Sequence, residues 1–197
     1  MREAPNTSVV RPAREMILGI DPGSILTGWG IIELEGNQLH HGAHGVIATS
    51  ASAAQAERLK QIYRGIHEVI RRYRPAAVSL EKVFFSRNVQ SALKLGQARG
   101  VALLAAAENQ VAAAEYSATE IKLAVVGYGH ATKEQIQKMV SALLGLRGPL
   151  RADAADALAA AICHVHRRTF QSRVGAAVSR YGVKSSWREY AALAAKR

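Results

Sequence analysis

Two short apolar segments, each closed by an acidic residue, constrain the fold of this chain more than any other feature. Residues 16–21 (MILGID) stop at a Pro-Gly pair, and residues 77–81 (AVSLE) follow soon after Pro75. Apolar runs of this length between turn residues are typical of buried strands. We therefore expect both segments to lie inside a sheet, each with its acid at the carboxyl end of the strand.

The periodicity of the remaining segments completes the order of elements. Three further strands are predicted at residues 28–34, 39–49 and 111–116. The Glu35-Gly36-Asn37 turn between the first two is a hairpin signal. Helices are predicted at residues 53–73, 90–109, 119–126, 132–144 and 152–168. With the last three helices taken together, the order β-β-β-α-β-α-β-α predicts an α/β fold, a mixed five-stranded sheet with helices on both faces.

The two ends of the chain differ from its middle. Residues 1–15 (MREAPNTSVVRPARE) are polar and lack the apolar centre of a secretory signal, so we interpret them as a flexible leader. Residues 16–168 are the predicted folded domain, and residues 169–197 are a basic tail. No apolar run approaches the roughly 20 residues that a membrane-spanning helix needs. The single cysteine, Cys163, excludes an intrachain disulfide and indicates a cytoplasmic protein, with a buried, inert thiol.

The charge of the chain favours an anionic partner. The formal net charge is +11, and residues 167–197 hold eight Lys or Arg residues against one Glu, a net charge of +7. A tail of this kind is explained equally well by solubility or by non-specific contact with nucleic acid. The charge therefore points to a class of partner and not to a specific one.

Aspartate is scarce, and its positions form a pattern. The chain has three aspartates and twelve glutamates. Asp153 and Asp156 are three residues apart at a predicted helix start, which puts both carboxylates on one helix face. Asp21 and Glu81 end predicted strands, and the carboxyl ends of parallel strands border the crevice where ligands bind. If the helix start lies across that crevice, the four carboxylates converge.

Converging carboxylates suit metal-ion chemistry. Four such groups repel one another unless cations neutralise them, and ligands that are all oxygen suit Mg²⁺ or Mn²⁺. Two ions held there can generate an attacking hydroxide and stabilise the leaving oxygen of a phosphodiester. Structural explanations stay open for single residues, since Asp153 is also explained as a helix cap and Asp21 as an Asx-turn residue. All four acids together favour a two-metal nuclease.

Four segments of the chain match a known family in the same order. They are GIDPGSILTGWGII, SLEKVFFSRNVQSALKLGQARGVALLAAAE, IKLAVVGYGHATKEQIQKMV and ADAADALAAAICHVH, within residues 16–166. On these segments the chain resembles the RuvC-type Holliday junction resolvases (crossover junction endodeoxyribonucleases) of bacteria. The resemblance implies an RNase H-like fold and a homodimer with two active sites. It also implies nicking of opposed strands of a four-way junction in DNA recombination and repair, with Mg²⁺ as cofactor and Mn²⁺ as a possible substitute. A branch-migration motor complex of the RuvA and RuvB type is the implied partner.

The resemblance also implies roles for individual residues. The catalytic and metal-binding acids are Asp21, Glu81, Asp153 and Asp156. The DNA-binding residues are Phe84, Lys122 and Lys133, with the aromatic one at the crossover of the junction. Without the family, Phe84 is explained either by stacking on an unpaired base or by packing in the core. Lys133 is at a predicted helix start, where a positive charge does not stabilise the helix dipole, so its position suits contact with a phosphate. Lys122 is explained equally well as a residue on a solvated helix face.

Small residues recur on one ridge of the helix predicted at residues 90–109. Ala92, Gly96 and Gly100 are spaced by four, and small residues let another helix approach closely. A contact between subunits is the favoured interpretation, and packing within one subunit is the alternative. A symmetric dimer would present one active site to each opposed strand of a junction.

Three histidines, His40, His41 and His44, lie on a predicted hairpin strand. A metal site is one interpretation of this cluster. No matching Cys or His group is nearby in the sequence, so solvated histidines on a surface strand are favoured.

Two other classes of protein compete with a nuclease. Residues 19–24 (GIDPGS) also resemble the first phosphate loop of actin-like ATPases and sugar kinases, but that family needs a second Asp-x-Gly loop, and the sequence has none. The second class is a nucleic-acid-binding protein that has lost catalysis. Such a protein would lack one or more of the four acids, but all four are present. Incubation with Mg²⁺ and either a junction or ATP separates the three classes.

Overall fold

The computed structural model describes residues 14–82 and 89–181. Within those ranges the chain forms five strands and five helices. In chain order they are β1 (Glu15–Asp21), β2 (Leu26–Glu35), β3 (Gln38–Ala48), α1 (Gln55–Tyr73), β4 (Ala77–Glu81), α2 (Val89–Glu108), β5 (Ala112–Tyr116), α3 (Ala118–Val126), α4 (Lys133–Leu143) and α5 (Ala152–Tyr181).

The strands form one mixed sheet in the order β3-β2-β1-β4-β5. The first three strands are antiparallel neighbours, whereas β1 and β4, and β4 and β5, pair in parallel. The predicted mixed five-stranded sheet is therefore confirmed. Its parallel half places the carboxyl ends of β1, β4 and β5 along one edge of the domain.

Helices cover both faces of this sheet. Alternate residues of the central strands point to opposite sides, and because these residues are apolar on both sides, both faces must be buried. Ile17 of β1 packs in a core with α3, α4 and α5, and its neighbour Leu18 packs in a second core with α1 and α2. Cys163 is fully buried in the first core, and burial raises the pKa of its thiol to about 12. The interpretation of this cysteine as an inert core residue fits that environment.

The ends of the folded region differ from the predicted ones. Helix α5 was expected to end at Arg168, but it continues to Tyr181, and no proline interrupts residues 169–181. Strand β1 begins at Glu15, which was predicted to lie in the leader, and the Glu15 carboxylate binds both terminal nitrogens of the Arg168 guanidinium. Residues 1–13 and 182–197 lie outside the described residues. No helix in the described ranges combines the length and the apolar content required to cross a bilayer.

Candidate active site

Two acids meet where neighbouring parallel strands end. Asp21 is the last residue of β1, and Glu81 is the last residue of β4. The register of the two strands pairs Ile20 with Leu80, so the two acids follow side by side at the same edge of the sheet. The apolar residues before each acid are buried and fix its position. The structure thus brings Asp21 and Glu81 together as the sequence predicted.

Helix α5 brings the remaining aspartates to the same edge. It begins at Ala152, so Asp153 and Asp156 lie in its first turns. The helix backbone lies directly on the sheet, because a Cβ atom at Gly28 would overlap the carbonyl oxygen of Asp153. A Cβ atom at Gly19 would likewise overlap the backbone of α5 one turn later. These two glycines, which sequence reasoning missed, allow the approach that sets α5 against the end of β1.

A cavity of about 310 Å³ lies between these elements. Its acidic lining consists of Asp21, Glu81 and Asp156. Its basic lining consists of Lys122 from α3 and Lys133 from α4. Five of the seven residues predicted to bind metal or DNA therefore line one cavity.

Lys133 is positioned by the start of α4. Thr132 caps this helix: its hydroxyl accepts a hydrogen bond from the Gln135 backbone N–H, and the Gln135 side-chain oxygen accepts one from the Thr132 backbone N–H. This reciprocal pair fixes the first turn, in which Lys133 is the first helical residue. Its Nζ atom lies 3.3 Å from Oδ2 of Asp156.

The carboxylates of the cavity repel one another. Burial, together with the charges of Asp156, Glu81 and Asp153, raises the pKa of Asp21 to about 7 against the opposing charge of Lys133. Burial also raises the pKa of Glu81, again with a contribution from Asp156. The charge of Asp156 raises the pKa of Lys133 in turn. The raised pKa values of the two carboxyl groups therefore reflect burial first and their mutual repulsion second.

The donor set fits a hard divalent cation by its chemistry. All the acidic ligands are carboxylates, which Mg²⁺ and Mn²⁺ prefer, and an added cation would relieve the repulsion around Asp21. Among the described residues, no three carboxylate, imidazole or thiolate groups are close enough to bind one ion as they stand. Lys133 already contacts Asp156, and the Arg151 guanidinium lies 3.6 Å from Oδ2 of Asp153. Basic side chains thus interact with two of the four acids.

Asp153 differs from the other three acids. It does not line the cavity, although its charge acts on Asp21. Its partner Arg151 was missed by sequence reasoning, where only the Arg-Ala-Asp spacing could have suggested the pair. Phe84, predicted to contact DNA, lies outside the described residues.

The family model and the relatives that match this chain share one description. The model of the family described as "Crossover junction endodeoxyribonuclease RuvC" matches residues 17–164. The protein of that description from Geobacter sulfurreducens is 52% identical over 156 residues, which are 79% of this chain and 95% of that protein. The one from Rubrobacter xylanophilus is 48% identical over 165 residues, 82% of this chain and 92% of that protein.

Solved structures resemble the fold over a similar range. The structure of T. thermophilus RuvC in complex with a Holliday junction substrate matches with a TM-score of 0.76 and 36% identity, covering 80% of this chain and 96% of that one. The yeast mitochondrial Holliday junction resolvase Ydc2 matches with a TM-score of 0.63 and 13% identity, covering 88% and 87% of the two chains. At that identity the second likeness concerns the fold alone.

Proposed function

This chain belongs to the RuvC family of crossover junction endodeoxyribonucleases, and from that premise we propose how its cavity cuts DNA. The protein is a nuclease with an RNase H-like fold that resolves Holliday junctions, and its family depends on divalent metal ions. Neither the ATPase nor the non-catalytic alternative is retained, because the family is one of nucleases.

The observation that carries the proposal is the mixed charge of the cavity. Asp21, Glu81 and Asp156 line it together with Lys122 and Lys133. The three acids, with Asp153 beside them, are the proposed ligands of Mg²⁺, with two ions per site and Mn²⁺ as a substitute. Such ions supply Lewis-acid chemistry, since they lower the pKa of water and stabilise a leaving oxygen.

The lysines act on the substrate phosphate in this proposal. Lys133 is 80% exposed in its side chain, so its ammonium group is accessible to a phosphate that enters the cavity. There it stabilises the negative charge that develops as the phosphodiester bond breaks. Lys122, one helix away, holds the backbone of the same strand. Phe84 is proposed to stack on a base at the crossover of the junction.

We further propose that the protein is a homodimer formed through the exposed face of α2. A Cβ atom at Gly96 or Gly100 would meet no other atom within 4 Å, so these glycines do not serve packing within the subunit. Val89, Leu93 and Leu104 lie on the same side of α2 and are 70%, 63% and 51% exposed. A twofold contact there buries an apolar stripe and presents one cavity to each opposed strand.

The partners and the location follow from the same premise. We propose that the dimer works with a branch-migration motor complex of the RuvA and RuvB type. We also propose that it acts in the cytoplasm. Its single cysteine is free and buried, so the fold has no disulfide that would require an oxidising compartment.

The test is a cleavage assay on a synthetic four-way junction with each strand labelled in turn. We expect paired nicks at symmetric positions on two opposed strands with Mg²⁺, and none with EDTA. Duplex DNA of the same sequence serves as the control substrate. Equal cutting of duplex and junction would contradict the proposal and indicate a general nuclease.

A further inference from the structure

A pair of imidazoles lies on β3, one of the two edge strands of the sheet, away from the carboxylate cavity. The Nε2 atom of His41 is 2.7 Å from Nδ1 of His44, and the ring centroids are 4.9 Å apart with the planes tilted by 57°. The sequence favours solvated histidines on a surface strand at this cluster. The structure instead brings two of the three into contact.

The contact depends on an irregularity in the strand. Residues three apart on a regular strand point to opposite faces. In the pairing of β3 with β2, His41 aligns with Ile32 and Ala43 with Ile31, so Gly42 is an extra residue between them. This β-bulge shifts the alternation by one and returns His44 to the face of His41.

The bulge position itself favours glycine. A Cβ atom at Gly42 would lie 2.8 Å from Cγ2 of Ile31, a fully buried side chain. His40, next to His41, alternates to the other face of the sheet and takes no part in the pair. The convergence of the two imidazoles is thus built into the packing of β3 on β2.

We propose that His41 and His44 form a binding site for a divalent transition-metal ion of the Zn²⁺, Ni²⁺ and Cu²⁺ class, separate from the carboxylate site. Imidazole nitrogen suits these ions, whereas Mg²⁺ and Mn²⁺ prefer oxygen. An ion at about 2.0–2.1 Å from each nitrogen needs the two nitrogens roughly 3 Å apart, which a small ring rotation provides. Water completes the coordination, because the pair is exposed.

The proton balance of binding is simple. In the free protein one ring donates its N–H to the other. When an ion takes the place of that proton, the donor ring carries its proton on its second nitrogen, so both rings stay neutral and no proton is released. Burial lowers the pKa of His41, which favours the neutral form of the ring that an ion requires.

The backbone register separates this site from the cavity. His44 pairs with Gly30 and Asp21 pairs with Gly28, so β2 lies between the two sites. Two strand spacings and two residues of rise put the Cα atoms of His44 and Asp21 about 12 Å apart. One ion cannot bind both, and the two sites sort ions by ligand type.

Calorimetric titration of the untagged, full-length protein with Ni²⁺ tests the proposal, with excess Mg²⁺ present to occupy the carboxylates. We expect one Ni²⁺ per chain. His41→Gln and His44→Gln should each weaken binding at least about tenfold, which is roughly 1.4 kcal/mol. His40→Gln is the matched control, since it removes an imidazole from the adjacent position and should leave binding unchanged.

A second measurement does not depend on the folding of any variant. Electron paramagnetic resonance of Cu²⁺ bound to the wild-type protein should show hyperfine splitting from two imidazole nitrogens. A spectrum with no nitrogen splitting, as expected for oxygen ligands alone, would overturn the proposal. So would Ni²⁺ binding that survives in both His41→Gln and His44→Gln, or that is lost equally in His40→Gln.

Discussion

The ammonium group of Lys133 lies 3.3 Å from Oδ2 of Asp156, so a basic side chain already contacts one of the acids proposed to bind metal. The pair is asymmetric, because the Lys133 side chain is 80% exposed and that of Asp156 only 26%. The lysine can therefore leave while the carboxylate stays. If Asp156 binds metal as proposed, Lys133 would compete with the ion for this carboxylate and would become available to a phosphate once the ion displaces it.

Replacing Lys133 should separate these two roles. We expect Lys133→Met to slow junction cleavage at saturating Mg²⁺ by roughly 10²-fold or more, because the variant has no charge to stabilise the reacting phosphate. Mg²⁺ binding should be unchanged or tighter, because a competing cation is removed. Single-turnover cleavage and calorimetric Mg²⁺ titration measure the two effects.

Lys138 provides the control for this prediction. It lies on the same helix, α4, and is exposed, but it does not line the cavity. Lys138→Met should change cleavage by less than about threefold, the scale of a single distant surface charge. Weaker Mg²⁺ binding in Lys133→Met would argue that the lysine holds the acids in place and does not contact phosphate.

The acids should be essential for cutting but not for binding DNA. Asp21→Asn, Glu81→Gln and Asp156→Asn are each expected to reduce cleavage by at least about 10³-fold, equivalent to roughly 4 kcal/mol of transition-state stabilisation. Junction affinity should stay within a few fold, since it comes mainly from basic residues on phosphates. Gel-shift titrations in Ca²⁺ and cleavage in Mg²⁺ report the two properties. A parallel reduction of both would indicate that the acids are structural.

The positions of Asp21 and Glu81 at strand ends could be predicted from the sequence because they depend on local patterns. Each apolar run that ends at Asp21 or Glu81 identifies both a buried strand and the acid that follows it. The spacing of Asp153 and Asp156 likewise fixes their common helix face. Which strands are neighbours does not follow from such patterns, and here the family resemblance supplied the arrangement.

Features that depend on distant residues could not be predicted from local patterns. Glu15 and Arg168 are 153 residues apart, and their pairing ties the first residue of β1, one position before the predicted start, to α5. The bulge at Gly42 lies where β3 packs closely against Ile31 of β2, and the sequence of β3 alone does not reveal that it brings His41 and His44 to one face. In both cases a tertiary contact overrides the local pattern.

The raised pKa of Asp21 predicts how stability depends on pH. With a pKa of about 7 in the folded state and an ordinary value when unfolded, the folded protein holds the proton that the unfolded chain has released. This group therefore contributes stability fully below pH 4, and the contribution disappears as the pH rises through 7. Metal-free Asp21→Asn should be more stable than wild type at pH 8, by at most about 4 kcal/mol, with a smaller gain at pH 5.

Thermal melting in EDTA at the two pH values measures this difference. The exposed Glu68→Gln on α1 is the control and should show no such dependence on pH. Mg²⁺ should raise the melting temperature of wild type at pH 8 more than that of Asp21→Asn. An Asp21→Asn protein that melts below wild type at pH 8 would contradict the assignment of unfavourable charge to this site.

The proposed dimer makes a prediction about α2. Gly100→Arg places a long charged side chain where a Cβ atom meets nothing within the subunit, so the fold should be kept while the dimer dissociates. Sedimentation velocity should show monomers for Gly100→Arg, with unchanged circular dichroism. Ala142→Arg, on the exposed face of α4, adds the same charge elsewhere and should remain dimeric. A dimeric Gly100→Arg would exclude this face of α2 as the contact.

The last prediction concerns residues 182–197, which lie beyond the family segments. They carry four basic residues and one acid, a net charge of +3. Truncation after Tyr181 keeps all of α5, including the Arg168 pair with Glu15, and should preserve Mg²⁺-dependent junction cleavage. Affinity should fall to a similar extent for junction and duplex, because charges outside the family segments attract phosphates without distinguishing shape.

The salt dependence of binding tests that interpretation of the tail. For duplex DNA, the slope of log affinity against log salt should become shallower by about 0.9 for every phosphate that the truncated protein no longer neutralises. Truncation after Tyr181 should be compared with truncation after Arg168, because the shorter protein also lacks the exposed Phe170 and Val174 of α5. If residues 182–197 instead cover those side chains, truncation after Tyr181 alone should lower the melting temperature by several degrees. That result, or a selective weakening of junction binding, would make the tail part of the fold or of the recognition surface.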